Sequence, residues 1–403
     1  LKIPATNYFG YVQVKIKILY FYCAFSPGWL IMKRAYPFGF RLTFILLSIG
    51  LTVFGLILAK DFLYPLCFGI LLSYLLYPIV NYLEKKGVPR ILAILAGILA
   101  GAIVFTFIGI FIFKRISMFT DELPQFRQKM ISHIEQFQEY INEDLGIPGD
   151  GMKEFLIGNL MDLGSQSEKI FSATTGTIFT ILMQPVYIFL FLYYRTKFAY
   201  FILKIMGRNN RPVVIRILKE IATVVTRYML GVTTVVIILC IFNSAGYLII
   251  GIHYPLLFGV VSALFSFIPY FGNFIGGTIP FLFALLTEDS LVYSLRIVVF
   301  VYIMHLLENN ILSPNIVGNN VRINPFVIII GLIMAAMIWG LPGMLVIIPF
   351  LAMLKIVFKN IPAMQPFSYL LGTRGTRKHA LTAENLRKFA GRLWRKGRGT
   401  TKV

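Results

Sequence analysis

Between Arg227 and Glu288 sixty residues pass without one Asp, Glu, Lys or Arg, and the second half of that run is interrupted by Pro269-Tyr270-Phe271-Gly272-Asn273. A helix needs about 20 apolar residues to cross roughly 30 Å of hydrocarbon. Residues 228–250 supply one such span. What remains is two apolar legs, residues 256–268 and 274–286, of thirteen residues each. At about 1.5 Å per residue, each leg reaches only about 20 Å. Short legs around a Pro/Gly break read as a re-entrant hairpin, which a membrane tolerates only where protein or water satisfies the freed backbone groups. Such a feature makes transport the leading functional reading.

Composition agrees. The apolar fraction is 58%, the charged fraction 14% and the mean hydropathy +0.78, values of a membrane chain rather than a soluble domain. The three cysteines (Cys23, Cys67, Cys240) have no metal or redox spacing and read as inert packing. A net charge of +21 would suit nucleic acid, but its placement decides otherwise. Assigning the segments around Lys33–Arg41, Lys85–Arg90, Arg195–Arg227, Arg322 and everything after Lys355 to one side collects 27 of the 38 Lys and Arg with four acids. The other side receives eight basic and thirteen acidic residues. This is the positive-inside bias. It places both termini of a multi-pass membrane protein in the cytoplasm, and the lipid bilayer, not nucleic acid, accounts for the charge.

The pattern predicts an all-α integral membrane protein of about eight hydrophobic segments, including two Pro/Gly-broken, re-entrant-like helical hairpins and an extracytoplasmic amphipathic helical segment. Residues 1–31 read as a doubtful N-terminal extension, because Met32-Lys33-Arg34 directly precedes the first clear span and reads as the start of translation; the alternative is a short interfacial segment rich in aromatics. Residues 32–113 hold the first three spans, with Pro65 and Pro78 as expected kink points in the second. Residues 114–175 are polar, and Leu123, Phe126, Met130, Ile134, Phe137, Ile141 and Leu145 trace a helical stripe. Such helices can cap the outer mouth, pack on a neighbouring subunit, lie on lipid, or pack on themselves. Residues 176–227 comprise a span and a basic cytoplasmic linker helix, whose stripe of Val214, Ile217, Ile221, Val224 and Tyr228 suits anionic headgroups. Residues 228–360 form the core with both hairpins, and residues 361–403 a basic cytoplasmic tail suited to anionic lipid.

The second hairpin lies in residues 323–354, uncharged over 32 residues and broken by Gly340-Leu341-Pro342-Gly343. By the count of crossings, the first hairpin opens from outside and this one from the cytoplasm. Leg length favours the re-entrant form more clearly for the first. Paired broken segments entering from opposite faces point to a transport site near the midplane, where half-helix ends bind polar solutes through free N–H and C=O groups. The alternative is that Pro and Gly merely turn the chain between tilted spans. The candidate substrate pathway comprises Pro269, Tyr270, Phe271, Gly272, Asn273, Gly276, Gly277, Pro280, Asn309, Asn310, Pro314, Gly340 and Gly343. His305 and Glu308 share a helical face at the end of their span. An intramembrane carboxylate is expensive, and proton coupling would justify it. The competing role is interfacial, with Glu308 bonding an Asn309-Asn310 turn. Asn315, Asn319, Asn320 and Asn324 either line a polar vestibule or cap loops, and Arg296 snorkels to headgroups. No phosphate loop, acid–base pair, nucleophile motif or metal spacing appears, so neither enzymatic activity nor a cofactor is expected.

Two stretches resemble a known family, the autoinducer-2 exporter family, also described as predicted permeases. They are Ile268-Pro269-Tyr270-Phe271-Gly272-Asn273-Phe274-Ile275-Gly276-Gly277-Thr278-Ile279-Pro280 and Glu308-Asn309-Asn310-Ile311-Leu312-Ser313-Pro314-Asn315-Ile316-Val317-Gly318, continuing through Val321 to Asn324-Pro325. Gly340, Gly343 and Pro349 fit its closing pattern, and Asn81-Tyr82-Leu83-Glu84 to Pro89-Arg90 its early turn. The similarity runs over roughly residues 33–360. One departure is Asn273, where the family often has Pro. The resemblance implies an inner-membrane homo-oligomer, with a pentamer as one form, that exports autoinducer-2 or exchanges sodium or lithium for protons. It fixes architecture better than cargo. Three functions therefore stand: export of a small polar metabolite, monovalent cation/proton antiport with Glu308 titrating, and a non-transporting membrane scaffold.

Overall fold

The structure, a computed structural model, describes residues 38–145, 174–268, 271–288, 290–317 and 323–373. The expectations for residues 1–31, for residues 146–173 of the extracytoplasmic segment and for the basic tail lie outside these residues. Contacts divide the chain into two units, Leu1–Leu63 and Tyr64–Val403. In the first, α1 (Phe38–Leu58) leaves Phe44, Leu46, Leu51 and Phe54 exposed, an apolar surface suited to lipid.

In the second unit every regular element is helical among the described residues. The chain runs through α2 (Lys60–Lys85), α3 (Arg90–Leu145), α4 (Thr174–Ile205), α5 (Arg211–Ile250), α6 (Pro255–Phe265), α7 (Gly272–Thr287) and α8 (Leu291–Leu307). A π-wound segment (Glu308–Val317), α9 (Pro325–Trp339), α10 (Leu341–Asn360) and α11 (Gln365–Leu371) follow. Among the described residues, six stretches are long and apolar enough to cross a membrane: Lys60–Lys85, Arg90–Phe119, Leu182–Ile205, Arg211–Ile250, Leu291–Val317 and Leu341–Asn360. The protein is an all-α, multi-pass membrane protein, as its sequence predicts.

Three local expectations change, while the expected kink points Pro65 and Pro78 lie within one helix, α2. The polar stretch after Phe113 does not begin a separate element. Nothing at residues 113–116 caps a helix, and α3 continues through Pro124 for 56 residues, a length of ~84 Å. The basic linker is not one helix. α4 ends at Ile205, Gly207 turns with a φ of 75° that only glycine adopts freely, and Pro212 stands in the first turn of α5. The linker's second half therefore belongs to the same 40-residue helix as the span after it. The Asn309-Asn310 turn is instead the start of the π-wound segment.

Both broken hairpins are present as helix pairs. In the first, the legs are 11 and 16 residues, or about 16 and 24 Å. Pro255 starts α6 after Tyr254, the sole non-glycine residue with positive φ (56°) among those described. The Tyr254 hydroxyl donates to the Met118 carbonyl (3.2 Å) and its ring packs on Phe119 and Phe126. These two rings, with Phe258 and Phe283, lay the extension of α3 over the base of the hairpin. Of the roles open to the amphipathic stripe, its first turns cap the hairpin. His253 and Glu288, 2.7 Å apart, join the two ends of that base. In the second hairpin α9 has 15 residues and α10 has 20, and only α10 is of full spanning length. Gly340 alone separates them, at φ 66° and ψ −145°, a region closed to residues with a Cβ.

The legs of the first hairpin touch through glycine. A Cβ on Gly276 would lie 2.7 Å from the Ser262 carbonyl oxygen and 2.8 Å from its Cα. Small residues let helix backbones approach where lipid offers no hydrophobic drive to pack. We therefore expect Gly276→Val to destabilise the protein by ~1–3 kcal/mol, the usual cost of overpacking. Gly50→Val in α1, where a Cβ meets nothing within 4 Å, should leave stability unchanged. Thermal unfolding in detergent measures both, and equal effects would mean that the glycine contact does not hold the hairpin.

Candidate functional site

α6 ends in a tightening spiral. Ser266 N donates to the Ala263 carbonyl (3.1 Å), Phe267 N to Leu264 (3.2 Å) and Ile268 N to Phe265 (2.8 Å), the three-residue pattern that closes helix ends. Gly272 N then reaches back to the Ile268 carbonyl (2.8 Å) and α7 begins. This folding brings Ser266, in the last turn of one leg, beside Asn273, in the first turn of the other. Ser266 Oγ donates to Asn273 Oδ1 at 2.7 Å. The other end of that amide points away from the hairpin, and Asn273 Nδ2 donates to Glu308 Oε2.

Glu308 stands where α8 gives way to the π-wound segment. One turn earlier, His305 Nδ1 lies 3.4 Å from Asn273 Nδ2, and both ring nitrogens face the Asn309 amide at 3.2 and 3.0 Å. Ser266, Asn273, His305, Glu308 and Asn309 thus form one polar chain from the hairpin tip to the junction of α8 with the π-wound segment. All but Asn309 are partly buried. Its support is apolar: Ala263 of α6, Met304 of α8 and Val235, Val236 and Leu239 of α5 form one buried cluster, with Phe267, Leu312, Ile316 and Val317 against it. Gly231 of α5 provides the space, since a Cβ there would meet the Val317 Cα at 2.9 Å.

A π segment of ten residues is unusual, and π-turns are frequent at functional sites. Pro314, within it, has no N–H to return to the preceding turn. Its exposed ring, and Asn310, whose amide bonds back to the Leu306 carbonyl at 2.9 Å, lie off the polar chain. Phe271 is exposed at the tip. Gly272, Gly276, Gly277 and Pro280 are buried. Gly276 packs on Ser262 and Gly277 on Val301. Gly340 and Gly343 flank the tip of the second hairpin, where Trp339 packs with Leu71, Val225 and Val346. Asn315 is exposed, Asn324 caps α9 through Phe326 N (3.1 Å), and Arg296 lies over the Tyr293 ring. Pro269, Tyr270, Asn319 and Asn320 lie outside the described residues. No group of three metal-ligating side chains occurs among those described.

Residues 43–363 match the family described as "AI-2E family transporter". The chain belongs to that family. Among its relatives, "Putative transport protein YueF" of Bacillus subtilis is 27% identical over 74% of this chain and 84% of its own length. "Putative transport protein YrrI" of the same organism is 26% identical, over 78% and 90%. The "AI-2 transport protein TqsA" of Escherichia coli is 20% identical, over 83% and 96%. Within this AI-2E family transporter, the family match spans both hairpins and the π-wound segment.

Sequence reading named Asn273, His305, Glu308 and Asn309 but missed Ser266 and Ser262. Ser262 is buried, donates to the Gly276 carbonyl and lies 3.4 Å from the Tyr247 hydroxyl. The available signal was a serine on each of two successive turns of an otherwise apolar leg. If Asn273 and Glu308 act as one contact, their substitutions are coupled. We expect Asn273→Ala and Glu308→Gln to be non-additive by about 1 kcal/mol in a double-mutant cycle read by unfolding in detergent. Asn310→Ala paired with Glu308→Gln should be additive. Additivity in the first pair would remove the contact from the site.

Proposed function

We propose that this protein exports a small polar metabolite as a secondary or passive transporter of the inner membrane, with both termini cytoplasmic and the first hairpin tip as the moving gate. The observation that carries this reading is the Asn273–Glu308 hydrogen bond, a polar contact between a broken hairpin and a π-wound segment within an apolar bundle. Opening it frees an amide and a carboxylate together, and these groups suit a solute rich in hydroxyl or carbonyl oxygens. The relative named an AI-2 transport protein supports autoinducer-2-like solutes as the first to test. Sidedness is supported by the ion pairs: Arg195 and Arg90 with Glu84, and Lys359 with Glu220, join segments that the charge bias puts on one side. His253 and Glu288 both fall on the other. The large exposed apolar faces of α1 and α3 are compatible with a homo-oligomer. No catalytic role is part of this reading.

A specific feature favours a second reading, monovalent cation/proton antiport. Glu308 accepts from the Asn273 amide, which also faces His305, inside a candidate span, as a titrating carboxylate would be. Flux into proteoliposomes separates the readings. Export of the polar solute that survives Glu308→Gln and falls at least tenfold when Gly276→Val jams the hairpin supports the first. Sodium- or lithium-dependent proton movement abolished by Glu308→Gln supports the second and overturns the first. Absence of any flux, with a reproducibly bound protein partner, would leave a scaffold.

A further inference from the structure

At the end of α2, Glu84 receives the Arg195 guanidinium of α4, and Arg90, the first residue of α3, approaches its other oxygen at 3.9 Å. Arg90 also donates from Nη2 to the Leu192 carbonyl (2.7 Å) and from Nη1 to Thr196 Oγ1 (3.2 Å). Its guanidinium faces the Tyr193 ring, while that of Arg195 lies over Tyr77. Two guanidinium groups thus share one carboxylate. Arg90 Nε and Arg195 Nη1 are buried without hydrogen-bond partners. The exposed Lys197 faces the Tyr194 ring and pairs with no carboxylate among the described residues. The cluster has positive charge to spare, fixed in place rather than waving on a tail.

Beside it opens a cleft of about 490 Å³, lined by Pro89, Arg90, Ile91, Tyr193, Thr196 and Lys197. One end is cationic and hydroxyl-bearing. From there the packed pair α3 and α4 continues into the spanning region with Leu92, Leu95 and Leu99 exposed on one helix and Val186 and Leu190 on the other. A ligand matching both ends carries an anionic head with several acceptor oxygens and a hydrocarbon tail. Guanidinium suits phosphate oxygens through its planar donor fork, and a nearby ammonium adds a point charge.

We propose that this cleft binds the phosphate of an anionic phospholipid, with Arg90 and Lys197 on the headgroup oxygens and an acyl chain along the Leu92-Leu95-Leu99 face. A free phosphate would use the polar end and gain nothing from the apolar one. The site is separate from the Asn273–Glu308 chain and does not depend on which solute crosses.

The test is calorimetric titration of the full chain, in a zwitterionic detergent, with dioctanoyl phosphatidylglycerol, dioctanoyl phosphatidylcholine and inorganic phosphate. Phosphatidylglycerol should saturate one site and phosphatidylcholine should not. Removing both charges, in Arg90→Gln with Lys197→Gln, should weaken phosphatidylglycerol binding about thirtyfold, the effect of two basic residues near a lipid surface. Arg216→Gln with Lys219→Gln removes equal charge from a separate basic groove on α5 and should change binding less than twofold. Because Arg90 also ties α3 to α4, Lys197→Glu alone serves as a variant at an exposed position and should weaken binding at least tenfold. Equal losses in the two double variants would overturn the proposal in favour of a diffuse field. Inorganic phosphate that displaces the lipid at matching concentrations would overturn it in favour of a free-anion site.

Discussion

A chain that reverses inside hydrocarbon has to satisfy its own backbone, because each N–H or C=O left without a partner there costs several kcal/mol. Among the described residues, the first hairpin's turn is bonded locally. Three successive three-residue bonds close α6, the Gly272 amide returns to Ile268, and Ile275 N reaches Phe271 (3.0 Å) as α7 starts. Ser262 adds a bond to the Gly276 carbonyl across the two legs. The glycines follow from the same constraint, since the legs come this close where Gly272 and Gly276 present no Cβ. With the backbone occupied in this way, the polar side chains at the tip are left to bond outside the hairpin. Asn273 does so, to Glu308.

The segment that receives it is shaped by a proline. In a regular α-helix through residues 308–317 the Pro314 ring would crowd the Asn310 carbonyl, four residues earlier. The chain widens into π geometry instead. Widening changes which side chains face inward, and here it lets Ile316 and Val317 close on Gly231 of α5. Glu308 sits at the first residue of the change. The carboxylate thus bonds Asn273 from one end of the π-wound segment while Val317, at the other end, packs on Gly231.

How much of this is legible in the sequence depends on the range of the interaction. Spans and breaks are local, and the uncharged runs, Pro255, the 269–273 interruption and Gly340 locate both hairpins within a few residues. The charge bias is additive along the chain, and the pairs Glu84–Arg195 and Glu220–Lys359 respect it. What is not legible is continuity. Residues 113–116 carry a change of polarity but no helix-ending residue, so a change of environment reads as a change of element although α3 simply leaves the membrane. Winding is not legible either, because Asn309-Asn310 carries a turn signal that α5 overrides by packing on the residues after it. In the candidate site, Asn273, His305 and Glu308 stand out as polar residues in apolar surroundings. Ser266 does not, since a serine in a helix is ordinarily satisfied by its own backbone.

Asn273 is also where this sequence leaves the pattern of the family it resembles, which often has Pro at that position. Proline offers no side-chain amide, so the bond to Glu308 is a property of this chain's own residue rather than of the hairpin as such. Its strength bounds what it can do. A hydrogen bond to a charged partner contributes about 1.5–3 kcal/mol, and a tenfold change in an equilibrium needs about 1.4 kcal/mol. The contact can therefore favour one position of the hairpin tip by about ten- to a hundredfold. Driving a two-state element from nearly all closed to nearly all open takes about 5.5 kcal/mol, more than this bond supplies. The Asn273–Glu308 contact is thus a bias on the tip and not a lock. The remainder of any closing energy has to reside in the apolar packing of Ala263, Met304 and Val235 beneath it and in the aromatic clamp of Phe119 and Phe126 at the base of the hairpin.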